Sequence, residues 1–409
     1  MVIEDPAWNQ KGKLCDYSER KIWLLAYLLT GIHRLERVMN PPCFRRGKVQ
    51  GASMREYELE VLEQYDIEVI STRKTRGAYF CNTKEGLMLL GPAGISVGRA
   101  PLMYVLLCYL ESRHGMKVDT PIFTKAGKLF SVSQDGTKYM LKKWVSGREC
   151  EVRRERDVLE AAQALGLLHQ RMDWGEILGD GAWTKEKMQE MIPQASDHEP
   201  VLEIELKPFA GRDMLSELRR HNRELKKVRA FIRSRVTKNE FERRFLAHFE
   251  RMYEMAQSVT ERMECSGYPE LYKDNLKAGK LIHGDYNYHN IWISSGRIAV
   301  TNFEHFRMDV QVQDLYYFLR KVMEKYQWKE SLGRKILEMY ESVRPLEDRE
   351  KEFLALCLAY PEKFWKTANL YSNSNKARIP EKSVEKLQTA IGQQAEKERF
   401  LENIFTFHL

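Results

Sequence analysis

Apolar residues recur at helical spacing from Ile22 to Leu35, and this stripe breaks at Asn40-Pro41-Pro42, where proline ends a helix. The first sixty or so residues therefore predict a helical extension rather than a complete domain. From Tyr65 the period shortens. YDIEVIST, GAYFCNT and, after a KEG turn, LMLLGP read as short strands separated by turn residues. PLMYVLLCYLESRHG then predicts an apolar helix closed by Gly115. It is followed by the strand candidates DTPIFT and KLFSVS, a turn at Asp135-Gly136 and the strand KYMLKKWV. This order predicts a small five-stranded antiparallel sheet with one helix after its third strand. After Gly147 the pattern is helical to the end, interrupted by one hairpin running from KLIHGD to IAVTNF, and NLYSNSN (369–375) reads as a loop. The expected units are an N-terminal helical extension (1–62), an upper lobe (63–147) and a mainly helical lower lobe (148–409), an α+β arrangement.

With 409 residues and 43% hydrophobic content, the chain can bury one large core or two modest ones. Its most apolar early run, KIWLLAYLLTGI, has about ten uncharged residues against the ~20 of a membrane helix. The run also stands behind acidic residues and too far from Met1 for a secretory signal, so a cytosolic product is expected. The seven cysteines are scattered without CxxC pairs or metal-ligand spacing, which makes reduced thiols the expectation.

The net charge of +8 is concentrated in 211–244, where twelve Lys or Arg stand against five Asp or Glu. Leu215, Leu218, Leu225, Val228, Phe231 and Ile232 fall there at helix-compatible spacings, so the charges lie on outer helix faces. Such a face is either simply solvated or meets an anionic partner, for which Arg219, Arg220, Lys226 and Lys227 are the candidate contacts. Nucleic acid is disfavoured as that partner, because no zinc-finger, RNA-binding or helix-turn-helix pattern accompanies the charge.

Candidate chemistry lies in LIHGDYNYHNIWISSGRIAVTNFEHF (281–306). In kinase-type phosphoryl transfer an aspartate orients the acceptor hydroxyl, and an asparagine five residues later helps hold magnesium on the same loop. Asp285 and Asn290 stand at that spacing, with His283 placed to brace the loop between apolar hairpin strands.

HGDYNYHN resembles the catalytic loop of the aminoglycoside phosphotransferase and choline kinase superfamily, whose fold is bilobal and protein-kinase-like. A narrower resemblance, to the spore coat CotS family of endospore-forming bacteria, rests on four stretches: HGDYNYHN, QDLYYFLRKVMEKYQW, YPEKFWKTANLYSNSN and EKLQTAIGQQAEKERFLENIF. It spans roughly Glu63 to Phe405. The resemblance implies that Asp285 holds the catalytic-base position, Asn290 the first metal-ligand position, and Asp314 the position of an aspartate supporting the loop. It places Asn302 where a magnesium-binding aspartate is expected, with Glu304 as a partial compensation. It puts the phosphate-binding lysine of the third strand at Gly91 and its helical glutamate partner near Met103, while Lys84 belongs to a turn. Trp144 and Val145 fall at the interlobe hinge, where a nucleotide base would stack, and Gly147-Arg148 matches a turn after it. His169 matches a helix-terminal histidine with a packing or hydrogen-bonding role. His289 either touches substrate or packs within the loop.

Two functions follow from this resemblance. One is a structural or assembly component of the spore coat on a degenerate kinase scaffold, with ATP and Mg2+ bound weakly or not at all. The other is an ATP-dependent phosphotransferase acting on a small molecule or a coat protein. The resemblance also implies synthesis in the mother-cell cytoplasm, deposition on the spore coat, and other coat proteins as partners.

Overall fold

The computed structural model of the protein describes residues 56–179, 209–294, 296–373 and 381–408. Most of the expected N-terminal extension (1–55) lies outside the described residues. Helix α1 (Glu56–Glu63) precedes strands β1 (Val69–Thr75), β2 (Ala78–Thr83) and β3 (Gly86–Pro92). Helix α2 (Ala100–His114), β4 (Lys117–Val118), β5 (Ser131–Val132) and β6 (Lys138–Lys143) follow. The upper sheet is antiparallel and five-stranded in the order β1-β2-β3-β6-β5, with α2 after its third strand.

Alternation gives this sheet two different faces. Tyr79, Cys81, Met88, Leu90, Tyr139 and Leu141 form one small core with Val61 and Leu62 of α1. Met140 points the other way, into a large core that runs through α2 into the lower lobe. Strand β6 is buried along four consecutive residues, Tyr139 to Lys142, because both of its faces are covered.

DTPIFT departs from the expected strand. It makes a single bridge, from Pro121 to Lys142, and the residues just before it, β4, pair with the lower lobe. One cause is local and one tertiary: proline lacks the N–H a ladder needs, and the Asp119 carboxylate is drawn to the backbone N–H of Asn302, 2.9 Å away.

The lower lobe comprises β7 (Arg148–Glu149), α3 (Glu155–Arg171), α4 (Trp174–Gly179), α5 (Met214–Ser234), α6 (Glu240–Cys265) and α7 (Tyr268–Ala278). The ribbon strands β8 (Leu281–Ile282), β9 (Ile291–Ser294), β10 (Arg297–Val300) and β11 (Arg307–Met308) come next. Helices α8 (Val312–Met323), α9 (Glu330–Glu341), α10 (Asp348–Ala359), α11 (Glu362–Asn373), α12 (Glu381–Gly392) and α13 (Gln394–Phe405) complete it. Asn239 and Glu242 close a reciprocal capping box on α6, a device that satisfies two otherwise orphaned N–H groups. Phe241, Phe245 and Phe249 then recur every fourth residue on its buried face, each stabilising by about 1.5–3 kcal/mol. Part of NLYSNSN is helical, since α11 continues through Asn373; its last two residues lie outside the described set.

The basic segment does form helices with its apolar stripe inward: Leu218, Leu225, Val228 and Ile232 are buried in α5. Its charges are not equally free. Arg219 pairs with Glu264 at 2.6 Å, and Arg220 bonds Glu224 at 2.6 Å and also Glu217. Among the described residues no ion pair reaches the exposed Arg223, Lys226, Lys227 and Arg233 of α5, although Lys226 lies over the Tyr253 ring. No helix among the described residues is long and apolar enough to cross a membrane.

Candidate functional site between the lobes

The loop 283–290 links β8 to β9 and is fixed from below by Asp314 on α8. The Asp314 carboxylate accepts from the backbone N–H groups of His283 (2.6 Å) and Gly284 (2.9 Å). Burial pushes this carboxyl up, but His169, 3.4 Å from Oδ2, and the His283 N–H outweigh it and hold Asp314 below the usual carboxylate range. His169 is itself buried and bonds the Tyr340 hydroxyl at 2.8 Å, so it packs and orients rather than faces solvent. His283, fully buried, spans the loop: Nε2 lies 3.0 Å from the Thr301 carbonyl, and Nδ1 accepts from Asp285 N–H at 3.2 Å. Gly284 has φ +80°, and a Cβ there would lie 2.3 Å from the His305 carbonyl oxygen, so only glycine fits.

On this platform Asp285 and Asn290 stand side by side. Asn290 Nδ2 donates to Asp285 Oδ2 at 2.9 Å, and Asn287 Nδ2 donates to Oδ1 at 3.0 Å. The Lys321 ammonium on α8 also faces Asp285; burial brings it down to about 8. Sequence reasoning did not single out this lysine, whose ammonium lies over the Tyr317 ring 4.5 Å from its centroid.

Asn302 adopts a left-handed conformation, φ 70° and ψ 52°, which asparagine tolerates better than most residues. Its Nδ2 donates to Asn290 Oδ1 at 3.5 Å, while its backbone N–H is taken by Asp119. Glu304 is turned away from the loop. Its Oε1 lies 2.9 Å from Lys142 Nζ, and Asp119 Oδ2 lies 3.4 Å from the same ammonium.

Lys142 is the principal residue missed from sequence. Met140 is the cross-strand partner of Gly91, and Lys142 stands two residues further along β6 on the same face. The upper lobe thus has no side chain at 91 but carries a buried lysine on the neighbouring strand. Met103 is wholly buried in the core. Burial alone would strip the proton from Lys142, but Asp119 and Glu304 overcome it and hold the ammonium charged. No sequence signal singled it out, because the strand carries Lys138, Lys142 and Lys143 alike.

The hinge is filled as well. Trp144 packs edge-on against Trp292 of β9 (centroids 5.4 Å apart) and Phe80 of β2 (5.9 Å); Phe80 and Trp292 are 6.0 Å apart. Val145 and Ser146 continue to Gly147, where a Cβ would lie 2.4 Å from the Ile293 carbonyl oxygen. Arg148 then pairs with Asp157 at 2.8 Å. At the mouth, Arg76 from the β1–β2 turn reaches Glu149 at 3.0 Å, and the His289 imidazole bonds the same carboxylate. Arg76 is largely exposed, so this latch contributes no more than about 1 kcal/mol.

A divalent ion of the kind implied by a phosphotransferase fold would be held by Asn290 and Asn302. With amides at both positions, the pair brings less negative charge than a hard cation prefers. Asn290 Oδ1 receives only the Asn302 amide at 3.5 Å, no carboxylate stands at 302, and Glu304 Oε1 is paired with Lys142.

Comparison with solved structures identifies the fold. An aminoglycoside phosphotransferase from Alicyclobacillus acidocaldarius superposes with a TM-score of 0.69 at 15% identity, covering 88% of this chain and 98% of that one. A spectinomycin phosphotransferase bound to AMP gives 0.53 at 12% identity, covering 85% and 98%. The chain has the α+β, kinase-like architecture of these phosphotransferases. In sequence it is similar to spore coat protein S of Bacillus subtilis strain 168, at 25% identity over 166 residues. That match covers 40% of this chain and 47% of that protein, so the chain spans about half the length of the curated relative it matches. No protein-family model matches the chain.

Proposed function

We propose that the protein is a spore coat component that uses a kinase-like scaffold for assembly rather than for phosphoryl transfer. The observation that carries this reading is the substitution of the cleft's charged positions: Asn302 and Gly91 replace the charged residues, and the buried Lys142 ammonium is paired with Glu304 and Asp119. The partial similarity to a spore coat protein supplies the setting. On this reading the chain is made in the mother-cell cytoplasm, docks on other coat proteins and is deposited on the spore. ATP and Mg2+ bind weakly or not at all, each missing charge-assisted contact costing about 1.5–3 kcal/mol, or roughly ten- to hundred-fold in affinity.

The deciding experiment expresses Asp285→Ala in a sporulating host lacking the native gene and measures coat incorporation and lysozyme resistance. Retention of both is expected. Their loss, with the variant folded and abundant, would instead support an ATP-dependent phosphotransferase acting on a small molecule or coat protein. The retained Asp285–Asn290 pair favours that second reading. Micromolar Mg-ATP affinity by calorimetry, with turnover abolished by Asp285→Asn, would establish it.

Exposed Arg223, Lys226, Lys227 and Arg233 line one side of α5 and form the proposed docking face for an acidic coat protein or polymer. Arg219 and Arg220 drop out of that face because their charges are spent internally.

A further inference from the structure

Three charged side chains from distant segments meet behind the cleft: Asp119 after β4, Lys142 on β6 and Glu304 after β10. Their side chains are 2%, 8% and 4% exposed. Two carboxylates against one ammonium leave a negative charge uncompensated in a dry place. The geometry shows where it resides. Lys142 Nζ reaches one oxygen of each carboxylate, while Asp119 Oδ1 and Glu304 Oε2 are buried with no hydrogen-bond partner. Unsatisfied buried oxygens of this kind are rare and call for a ligand or a counter-charge. Burial accordingly pushes the Asp119 carboxyl up. A doubly charged hard cation would balance both carboxylates and use oxygens that a single ammonium leaves idle.

We propose that Asp119 and Glu304 form a cation site whose occupant is the protein's own Lys142 ammonium, and that the same two carboxylates take a divalent metal ion once that ammonium is withdrawn. This inference rests on reading the cleft as non-catalytic. It concerns what fills the cleft, not where the protein is deposited. Asp119 supplies the carboxylate absent at 302: its Oδ2 accepts the Asn302 N–H, so the charge enters through a neighbouring segment. Lys142 supplies the positive charge from the strand beside Gly91. With two carboxylates in reach rather than three among the described residues, water would complete the ion's shell.

The test uses the full chain and MnCl2, followed by calorimetry and by the electron paramagnetic resonance signal of free Mn2+. Wild type should leave Mn2+ free at concentrations where Lys142→Met takes up one equivalent, with at least a hundred-fold difference in affinity. Adding Asp119→Asn to Lys142→Met should abolish the uptake. The double variant Lys142→Met/Glu304→Gln, which removes opposite charges together, should fold without metal and bind none. Equal Mn2+ affinity in wild type and Lys142→Met would overturn the proposal. So would a folded Lys142→Met that binds none, or one that fails to fold with or without Mn2+. Wild-type binding of Mg-ATP that disappears in Lys142→Met would also refute it, by assigning the ammonium to a phosphate. Mg-ATP binding by wild type would also count against the proposed function, whereas the Mn2+ outcomes depend neither on nucleotide nor on spore deposition, so on them the two proposals fail separately.

Discussion

Asp314 shows how one carboxylate holds the candidate catalytic loop. It accepts two backbone N–H groups and a buried histidine. Asp314→Ala should therefore cost about 3–5 kcal/mol by leaving these groups unpaired, measured as a shift in the urea midpoint at constant slope. Asp309 behaves oppositely. Burial, against the pull of Arg307, raises it to about 6 from 3.8. Its folded form therefore keeps a proton that the unfolded chain has released. The associated stability is present below about pH 4 and is lost as pH rises through about 6, to the extent of roughly 3 kcal/mol. Denaturation at pH 4.5 and 7 should show about 2 kcal/mol of this fall in wild type and none of it in Asp309→Asn. At this scale the sequence was legible where chemistry is contiguous: HGDYNYHN displays Asp285, Asn290 and His283 within eight residues. It was illegible where chemistry is assembled across the fold. Asp119, Lys142 and Glu304 are separated by 23 and 162 positions, and KK at 142–143 gives no sign of which lysine is buried.

Among elements, strands with one covered face could be read from alternation, whereas β5 is only two residues long and DTPIFT carried strand composition but pairs through a single bridge. Tertiary demands on Asp119 overrode β-propensity there. Helices α5 and α11 meet through Trp365, whose ring stacks on His221 at 3.3 Å and whose indole N–H donates to Glu224 at 2.9 Å. Burial and the adjacent Arg220 push His221 down to about 3, so a neutral imidazole lies against the ring at any physiological pH. Trp365→Ala should cost about 3–5 kcal/mol and reduce coat incorporation in proportion to lost folded protein, checked by thermal unfolding and immunoblotting of extracted coats. On the outer side of α5, reversing Arg223, Lys226, Lys227 and Arg233 to Glu should abolish binding to an acidic polymer such as polyglutamate. The native interaction should weaken steeply with salt, since exposed charges are screened over about 8 Å at physiological ionic strength. Unchanged binding would leave these four as a solvated face.

For the molecule as a whole, the lobes are joined by more than the hinge. The large core passes continuously from α2 into the lower helices, and the aromatic trio and the Lys142 cluster cross the same boundary. The described residues should unfold in one transition, with near-ultraviolet circular dichroism and tryptophan fluorescence coinciding; Lys142→Met should separate them. The α+β plan, an antiparallel sheet followed by helices, was legible from the change of period, but the contacts between the two parts were not, because Phe80, Trp144 and Trp292 become neighbours only after folding. The buried charges also set how the protein responds to heating. Hydration of ions becomes less favourable as temperature rises, so confining three of them away from water is penalised less in hot solution than in cold. A neutral replacement, Lys142→Met with Asp119→Asn and Glu304→Gln, should match or exceed wild type at 25 °C and fall behind it on warming. The two stability curves should therefore cross, with the charged cluster favouring the native state on the hot side.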